Sequence, residues 1–352
     1  MNRKNKSTLS LLIFISLIII SALPVSAGSE ATCIFLLIEP GSRPGGMGHS
    51  FVSIAEGGIA SWWNPGGLAF IKQSDIDLMH TNWFGDVIDD IYYEYLGYAQ
   101  HLEGIGTFGL NITYLTYGEQ AAFDVEGNPL EKFTSYEIAV GASYGTEIMK
   151  DMGVGINLKG VISGLCPLIE GLDMTGEGVG YTFVLDLGLL KRNLIIPKLS
   201  FGVNIQNFGP DMSYANSENK QPMPLNLKLG FSYKILDSKY NKLIASADIN
   251  KMLVNPDDPL WKRWFTSLYD DDFKDEMKSM IENVGIEYKY YNLISLRIGY
   301  VNDIAGHITG VSFGGGINYE FSKGKELSFD FALQEAGELT DNNKTFSLGV
   351  KF

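Results

Sequence analysis

The chain has 352 residues, a formal net charge of −14, and an aromatic load of 20 Phe and 18 Tyr, with 40 Gly spread along its length. The acidic balance argues against a nucleic-acid partner, which rewards basic surfaces. Two cysteines, Cys33 and Cys166, make no disulfide framework; one pair or two lone thiols both fit.

Residues 1–27 read as an export signal. Arg3, Lys4 and Lys6 form a basic start, and Leu11 to Ala22 is apolar apart from Ser16 and Ser21. Val25-Ser26-Ala27 is a small-residue cleavage site. The apolar run is short of the roughly 20 residues a membrane helix needs, so cleavage after Ala27 is expected. Losing its three basic residues would take the formal −14 to −17.

Residues 28–74 have a different grain. The run "IEPGSRPGGMGHSFVSIAEGGIASWWNPGGLAF" is punctuated by Gly and Pro, carries Trp62-Trp63, and lacks alternation. It is too apolar for a disordered tail. It suits an ordered cap at the base of the following domain, or a plug inside it, where Gly permits close backbone contact.

From about residue 75 the dominant period is two. Phe108, Leu110, Ile112 and Tyr114 share one face, against Thr107, Gly109, Asn111 and Thr113. Leu225, Leu227, Leu229, Phe231 and Tyr233 alternate with Asn226, Lys228, Gly230 and Ser232. Strands are predicted at 75–83, 91–100, 104–117, 133–147, 151–163, 177–189, 198–207, 222–235, 241–252, 283–291, 293–302, 308–321, 325–333 and 343–352. That gives an even count of fourteen. Gaps after even-numbered strands are short, and gaps after odd-numbered strands are mostly long. Membrane barrels of the outer-membrane type have an even strand number, apolar-out and polar-in faces, short periplasmic turns and longer outer loops. The fold class predicted is all-β, a fourteen-stranded antiparallel transmembrane barrel over 75–352. The final run, "KTFSLGVKF", is the strand expected to pair with the first, because an open edge in lipid leaves backbone groups unsatisfied.

Several blocks then resemble a known family. "GMGHSFVSIAEGGIASWWNPGGLA", Gly46 to Ala69, is similar to the amino-terminal signature shared by FadL-like barrels and the PorV/PorQ family. "LSFGVNIQNFGPDMSY", "PMPLNLKLGFSY", "ADINKMLVNP" and "VGIEYKYYNLISLRIGY" resemble PorV-family blocks in the same order across nearly the whole mature chain. Gly66 departs from the usual Ala, and residues 257–280 do not match. The resemblance implies a plug motif made of Gly46, Gly48, Trp62, Trp63, Asn64, Pro65, Gly66 and Leu68. It implies an outer-membrane barrel of the type IX secretion system. Such a barrel receives exported cargo by a carboxy-terminal sorting domain and carries it to a surface attachment complex. The alternative is a FadL-like, plug-gated channel for small hydrophobic compounds. The bacterial outer membrane and its lipid are the expected surroundings.

Among site candidates, Trp261, Trp264, Phe265 and Leu268 fall at i, i+3, i+4 and i+7 in the 253–282 outer loop, the spacing of a helix stripe. Phe273, Met277, Met280 and Ile281 nearly repeat it. The stripe either covers the barrel mouth or faces a partner. Asp257-Asp258 and Asp270-Asp271-Asp272 supply oxygen ligands of the kind Ca²⁺ takes, but meet no loop spacing, so a solvated acidic loop is favoured and no metal is expected. Lys159, Lys228, Arg297 and Asp330 belong on the polar, lumen-facing side, paired with one another or with the plug. "GIGTFG" matches a dinucleotide pattern but sits inside a strand. His49, His80, His101 and His307 are scattered. No nucleophile–base set stands out, so a non-enzymatic protein with no cofactor is expected.

Overall fold

Alternation of apolar and polar residues makes each strand two-faced, and a sheet of such strands in lipid must close on itself. The computed structural model describes residues 31–85, 90–124, 126–166, 178–214, 220–255, 258–267, 278–337 and 342–352. The signal at 1–27 lies outside the described residues. Fourteen strands form one closed antiparallel barrel, each beside its neighbours in sequence. They are β1 (Asp75–Asn82), β2 (Tyr92–Leu102), β3 (Gly106–Phe123), β4 (Pro129–Met149), β5 (Met152–Gly164), β6 (Val179–Lys191) and β7 (Leu199–Phe208). The second half is β8 (Asn226–Asp237), β9 (Asn241–Met252), β10 (Met280–Tyr290), β11 (Ile294–Asp303), β12 (Ile308–Ser322), β13 (Lys325–Glu335) and β14 (Asn342–Lys351).

β14 closes the barrel against β1, in register from Asp75↔Lys351 to Asn82↔Lys344. Ser74 and Phe352 exchange two further backbone bonds of 3.0 Å beyond the ladder. The faces sort as the period requires. Phe108 and Leu110 are 45% and 56% exposed on the outside, while Thr107 and Asn111, which flank them, are 0% and 1% exposed. Among the described residues no helix is long and apolar enough to cross a membrane.

The strand series differs from expectation in three places. Residues 118–132, expected as a long loop, largely extend the β3–β4 hairpin to Phe123 and from Pro129. A register shift between Thr116 and Glu119, with Gly118 at φ 71°, throws the later residues out of phase with the earlier ones. The extension therefore escapes a period-two reading. β8 begins at Asn226 instead of 222, because Pro222 and Pro224 have no N–H for a ladder. Met280 and Ile281, expected on a helix face, begin β10 opposite Lys251 and Asn250. Their partners Phe273 and Met277 lie outside the described residues.

The segment ahead of β1 runs through the lumen. At the long-loop end, Thr32 N–H donates to the Pro222 carbonyl at 3.0 Å. A 3-10 turn (Ile34–Leu37), α1 (Ser42–Gly46), α2 (Ala60–Trp63) and a second 3-10 turn (Pro65–Phe70) follow. The segment leaves at Ser74, at the short-turn end. Its apolar side chains, with inward ones of the wall, form the buried core, including Phe35, Leu36, Met47, Phe51, Trp62, Trp63 and Leu68.

Candidate functional site: the filled lumen and the outer-loop helix

An irregular segment has no ladder for its own N–H and C=O groups, and buried backbone groups must find partners. The barrel wall supplies them. Asp248 accepts from the Phe51 and Val52 N–H groups at 2.6 and 2.8 Å. Asn204 and Gln206 donate to the Trp63 and Trp62 carbonyls at 2.9 and 2.8 Å. Asn283 donates to the Gly48 carbonyl at 2.7 Å, and Ser246 to that of Ser50 at 2.9 Å. The Asn- and Ser-rich inner face is thus a set of receptors for backbone.

Asn64 joins both sides. Its Nδ2 donates to the Val52 and Leu189 carbonyls, each at 3.0 Å, and its Oδ1 accepts from Gly66 N–H at 3.0 Å. Pro65 follows at the start of the 3-10 turn, where a missing N–H costs nothing. Trp62 and Trp63 are buried and meet edge-on, with ring centroids 5.1 Å apart. Trp63 Nε1 donates to the Pro40 carbonyl at 2.9 Å. Leu68 is fully buried. Gly46 lies so close to β12 that an added Cβ would stand 2.8 Å from Gly314 Cα. Gly48, at φ 60°, would drive one into the Tyr300 backbone. At Gly66 a Cβ would meet Leu190 N at 2.9 Å and Gly153 O at 3.0 Å. An alanine there would press on both backbones.

The four inner charges are all paired. Lys159 Nζ is 2.8 Å from Asp186 Oδ1. Lys228 pairs with Glu39 of the lumen segment and sits 5.2 and 5.0 Å over the Trp62 and Trp63 rings. Arg297 bonds Glu287 at 2.7 Å and Asp330 at 2.6 Å. Glu287 also receives Arg43 of α1, at 2.8 and 2.9 Å, and Arg43 reaches Glu56 at 2.6 Å. Burial pushes the Glu39 carboxyl upward, but Lys228 and His49 outweigh it and hold Glu39 below its ordinary value. Glu287, Asp186 and Asp248 escaped the sequence reading. Each lies on the inward parity of its strand, which would have marked it. Burial pushes the Cys33 thiol up to about 12, and Cys33 and Cys166 are free.

The outer loop builds a different object. α3 (Leu260–Thr266) is short, and it turns its only buried residue, Arg263, inward. Arg263 grips Asp211 with both terminal nitrogens, at 2.5 and 2.9 Å, and its Nε donates to the Asn255 and Asp258 carbonyls. Trp261, Trp264 and Phe265 are left 72%, 40% and 59% exposed. Trp264 and Phe265 rings lie 4.3 Å apart. Leu268 and Asp270 to Asp272 lie outside the described residues, as does Asp257. Asp258 pairs with Lys262 at 2.6 Å. Among the described residues no three acidic, His or Cys side chains gather as a metal site.

The profile of the family described as "Type IX secretion system protein PorV" matches residues 28–259. A search of the curated proteins gives no match. Among solved structures, the toluene transporter TodX of Pseudomonas putida is 13% identical, with a TM-score of 0.53 over 94% of this chain and 98% of that one. The CymD monoaromatic hydrocarbon channel is 12% identical, with a TM-score of 0.50 over 90% of this chain and 97% of that one. A Pseudomonas aeruginosa FadL homologue is 10% identical, covering 89% of this chain and 98% of that one, at a TM-score of 0.46. The fold is that of a FadL-like barrel, and barrels of this kind sit in the outer membrane of Gram-negative-type bacteria.

Proposed function

Because the chain belongs to the PorV family of outer-membrane barrels, we propose that it is a non-enzymatic carrier that binds exported proteins on its outer loops. The cargo would present a carboxy-terminal sorting domain and pass to a surface attachment complex. Residues 31–74 act in this reading as a plug that seals the lumen.

One observation carries the outer-loop assignment: α3 is inside out. A helix that merely capped the mouth would bury its aromatics and expose its arginine. Here Arg263 is 5% exposed and fixed by four hydrogen bonds, while Trp261 and Phe265 face water. Exposed aromatics beside a buried anchor are the composition of a binding hot spot. The arginine holds the helix in one pose, so less ordering entropy is lost when a partner docks.

The hydrocarbon-channel alternative draws on likeness of fold to proteins titled toluene transporter and monoaromatic hydrocarbon channel. A pull-down from detergent-solubilised outer membranes separates the two readings. Tagged wild type should recover exported proteins sharing a carboxy-terminal domain, and Trp261→Ala/Trp264→Ala/Phe265→Ala should lose them. Recovery of apolar small molecules with both forms, and of no protein, would replace the carrier by the channel.

A further inference from the structure

A cavity of about 640 Å³ lies between the lumen segment and the short-turn end of the barrel. Its charge is divided by wall. Arg192 follows β6, Lys198 precedes β7, Lys234 lies on β8 and Lys242 on β9, and all four line one side. Asp75, Asp77, Glu326 and Asp330, from β1 and β13, line the other, with Lys351 of β14 among them. Among the described residues, none of the four basic groups makes an ion pair; Arg192 instead lies 4.0 Å from the Phe70 ring centroid. Asp237 lines the basic side without pairing to any of them.

The basic wall is built against its own repulsion. Lys242 stands opposite Lys289 in the β9–β10 register and opposite Asp237 in the β8–β9 register; Lys289, which also lines the cavity, lies 3.5 Å from Glu287. Like charges opposite each other on adjacent strands are destabilising. The Lys234 N–H bonds the Lys198 carbonyl at 3.1 Å, placing two more lysines side by side. This concentration of free positive charge occurs in a chain whose formal net charge is −14.

We infer that this periplasmic vestibule binds an acidic peptide segment through Arg192, Lys198, Lys234 and Lys242. The width of the arc selects a chain over a small anion. Four neighbouring strands span about 15 Å at ~4.8 Å spacing. A single phosphate or carboxylate reaches two such side chains. An extended peptide with an acid at every second residue places one about every 7 Å and engages the whole arc. On the facing wall Lys351 lies 4.0 Å from Asp75 and 3.9 Å from Glu326, and Arg297 bonds Asp330 at 2.6 Å, so among the described residues the unpaired cations of the cavity are those of the basic arc. The site lies inside the barrel, away from lipid, and is separate from the aromatics of α3. It therefore stands or falls independently of cargo capture there.

The probe is a fluorescein-labelled ten-residue peptide of alternating Glu and Ser, titrated by anisotropy against the full barrel in neutral detergent. Wild type should bind it. Lys198→Glu/Lys234→Glu/Lys242→Glu should bind about tenfold or more weakly. Raising salt should weaken the wild-type complex, as screening requires. The Lys-Ser counterpart should not bind. Trp261→Ala/Trp264→Ala/Phe265→Ala should bind the Glu-Ser peptide as wild type does. Heat-modifiable gel mobility checks that the reversal variant is folded. If it is not, Lys234→Gln/Lys242→Gln is read in its place, with a severalfold loss expected. Equal affinity of wild type and the folded variant, or equal binding of the Lys-Ser peptide, would overturn the assignment. So would displacement of the peptide by millimolar inorganic phosphate at constant ionic strength, since that marks a small-anion site.

Discussion

The lumen segment and the outer-loop helix use the same aromatic vocabulary in opposite ways. Trp62 and Trp63 are buried, and the polar wall around them receives their backbone. Trp261 and Trp264 are exposed, and it is their neighbour Arg263 that is buried. What separates the two is where the charged anchor goes. Lys228 enters the lumen to meet Glu39 and lies over the Trp pair, so aromatics and charge are sequestered together. Arg263 takes the interior for itself and leaves the aromatics in water. A Trp pair in such a barrel therefore says little until its anchor is known.

Substitutions sharpen the contrast. Trp63→Ala should destabilise the lumen segment by about 3–5 kcal/mol, the usual cost of emptying a packed aromatic site, read as faster amide hydrogen exchange across 31–74. Glu39→Gln leaves Lys228 charged and buried without its partner, at a cost of about 3 kcal/mol. The same pair sets a pH dependence. The folded Glu39 carboxyl lies below its ordinary 4.5, so its contribution is full above that pH and is lost as pH falls through the folded value. Exchange across 31–74 should accelerate on acidification in wild type, and Glu39→Gln should lack that part of the acid response. Asn64→Ala removes three bonds and strands buried carbonyls, for about 2 kcal/mol by the same measurement. Gly66→Ala should cost about 1–2 kcal/mol, because two of the three atoms it meets are backbone and the third, Asn64 Oδ1, is held by the Gly66 N–H. Trp261→Ala should change stability by less than about 0.5 kcal/mol in urea titrations of vesicle-embedded barrel. A cost there as large as at Trp63 would collapse the distinction.

The barrel was legible because lipid leaves few options. Two-faced strands, an even count and the alternation of short and long connections all follow from closing a sheet in hydrocarbon. The misses share a physical origin. The β3–β4 extension was hidden by a bulge at Gly118 that reverses parity, and Pro222 and Pro224 made an alternating run look longer than its ladder. Inner charges could be assigned to the lumen by parity, but their partners could not. Lys228 finds Glu39 from a segment with no period at all. Arg263 went unseen because a helix stripe is read from its apolar residues, which assumes that the stripe is the side turned in. In α3 it is the side turned out.

The most direct test is photo-crosslinking in intact cells, with a photoreactive residue in place of Trp261. Control sites are buried Trp62 and Ile195 in the β6–β7 turn, which is 91% exposed. The carrier account predicts a crosslink from position 261 to exported proteins sharing a carboxy-terminal domain, and none from position 62 or 195. Crosslinks to such proteins from 62 but not from 261 would place the cargo path in the lumen and contradict it.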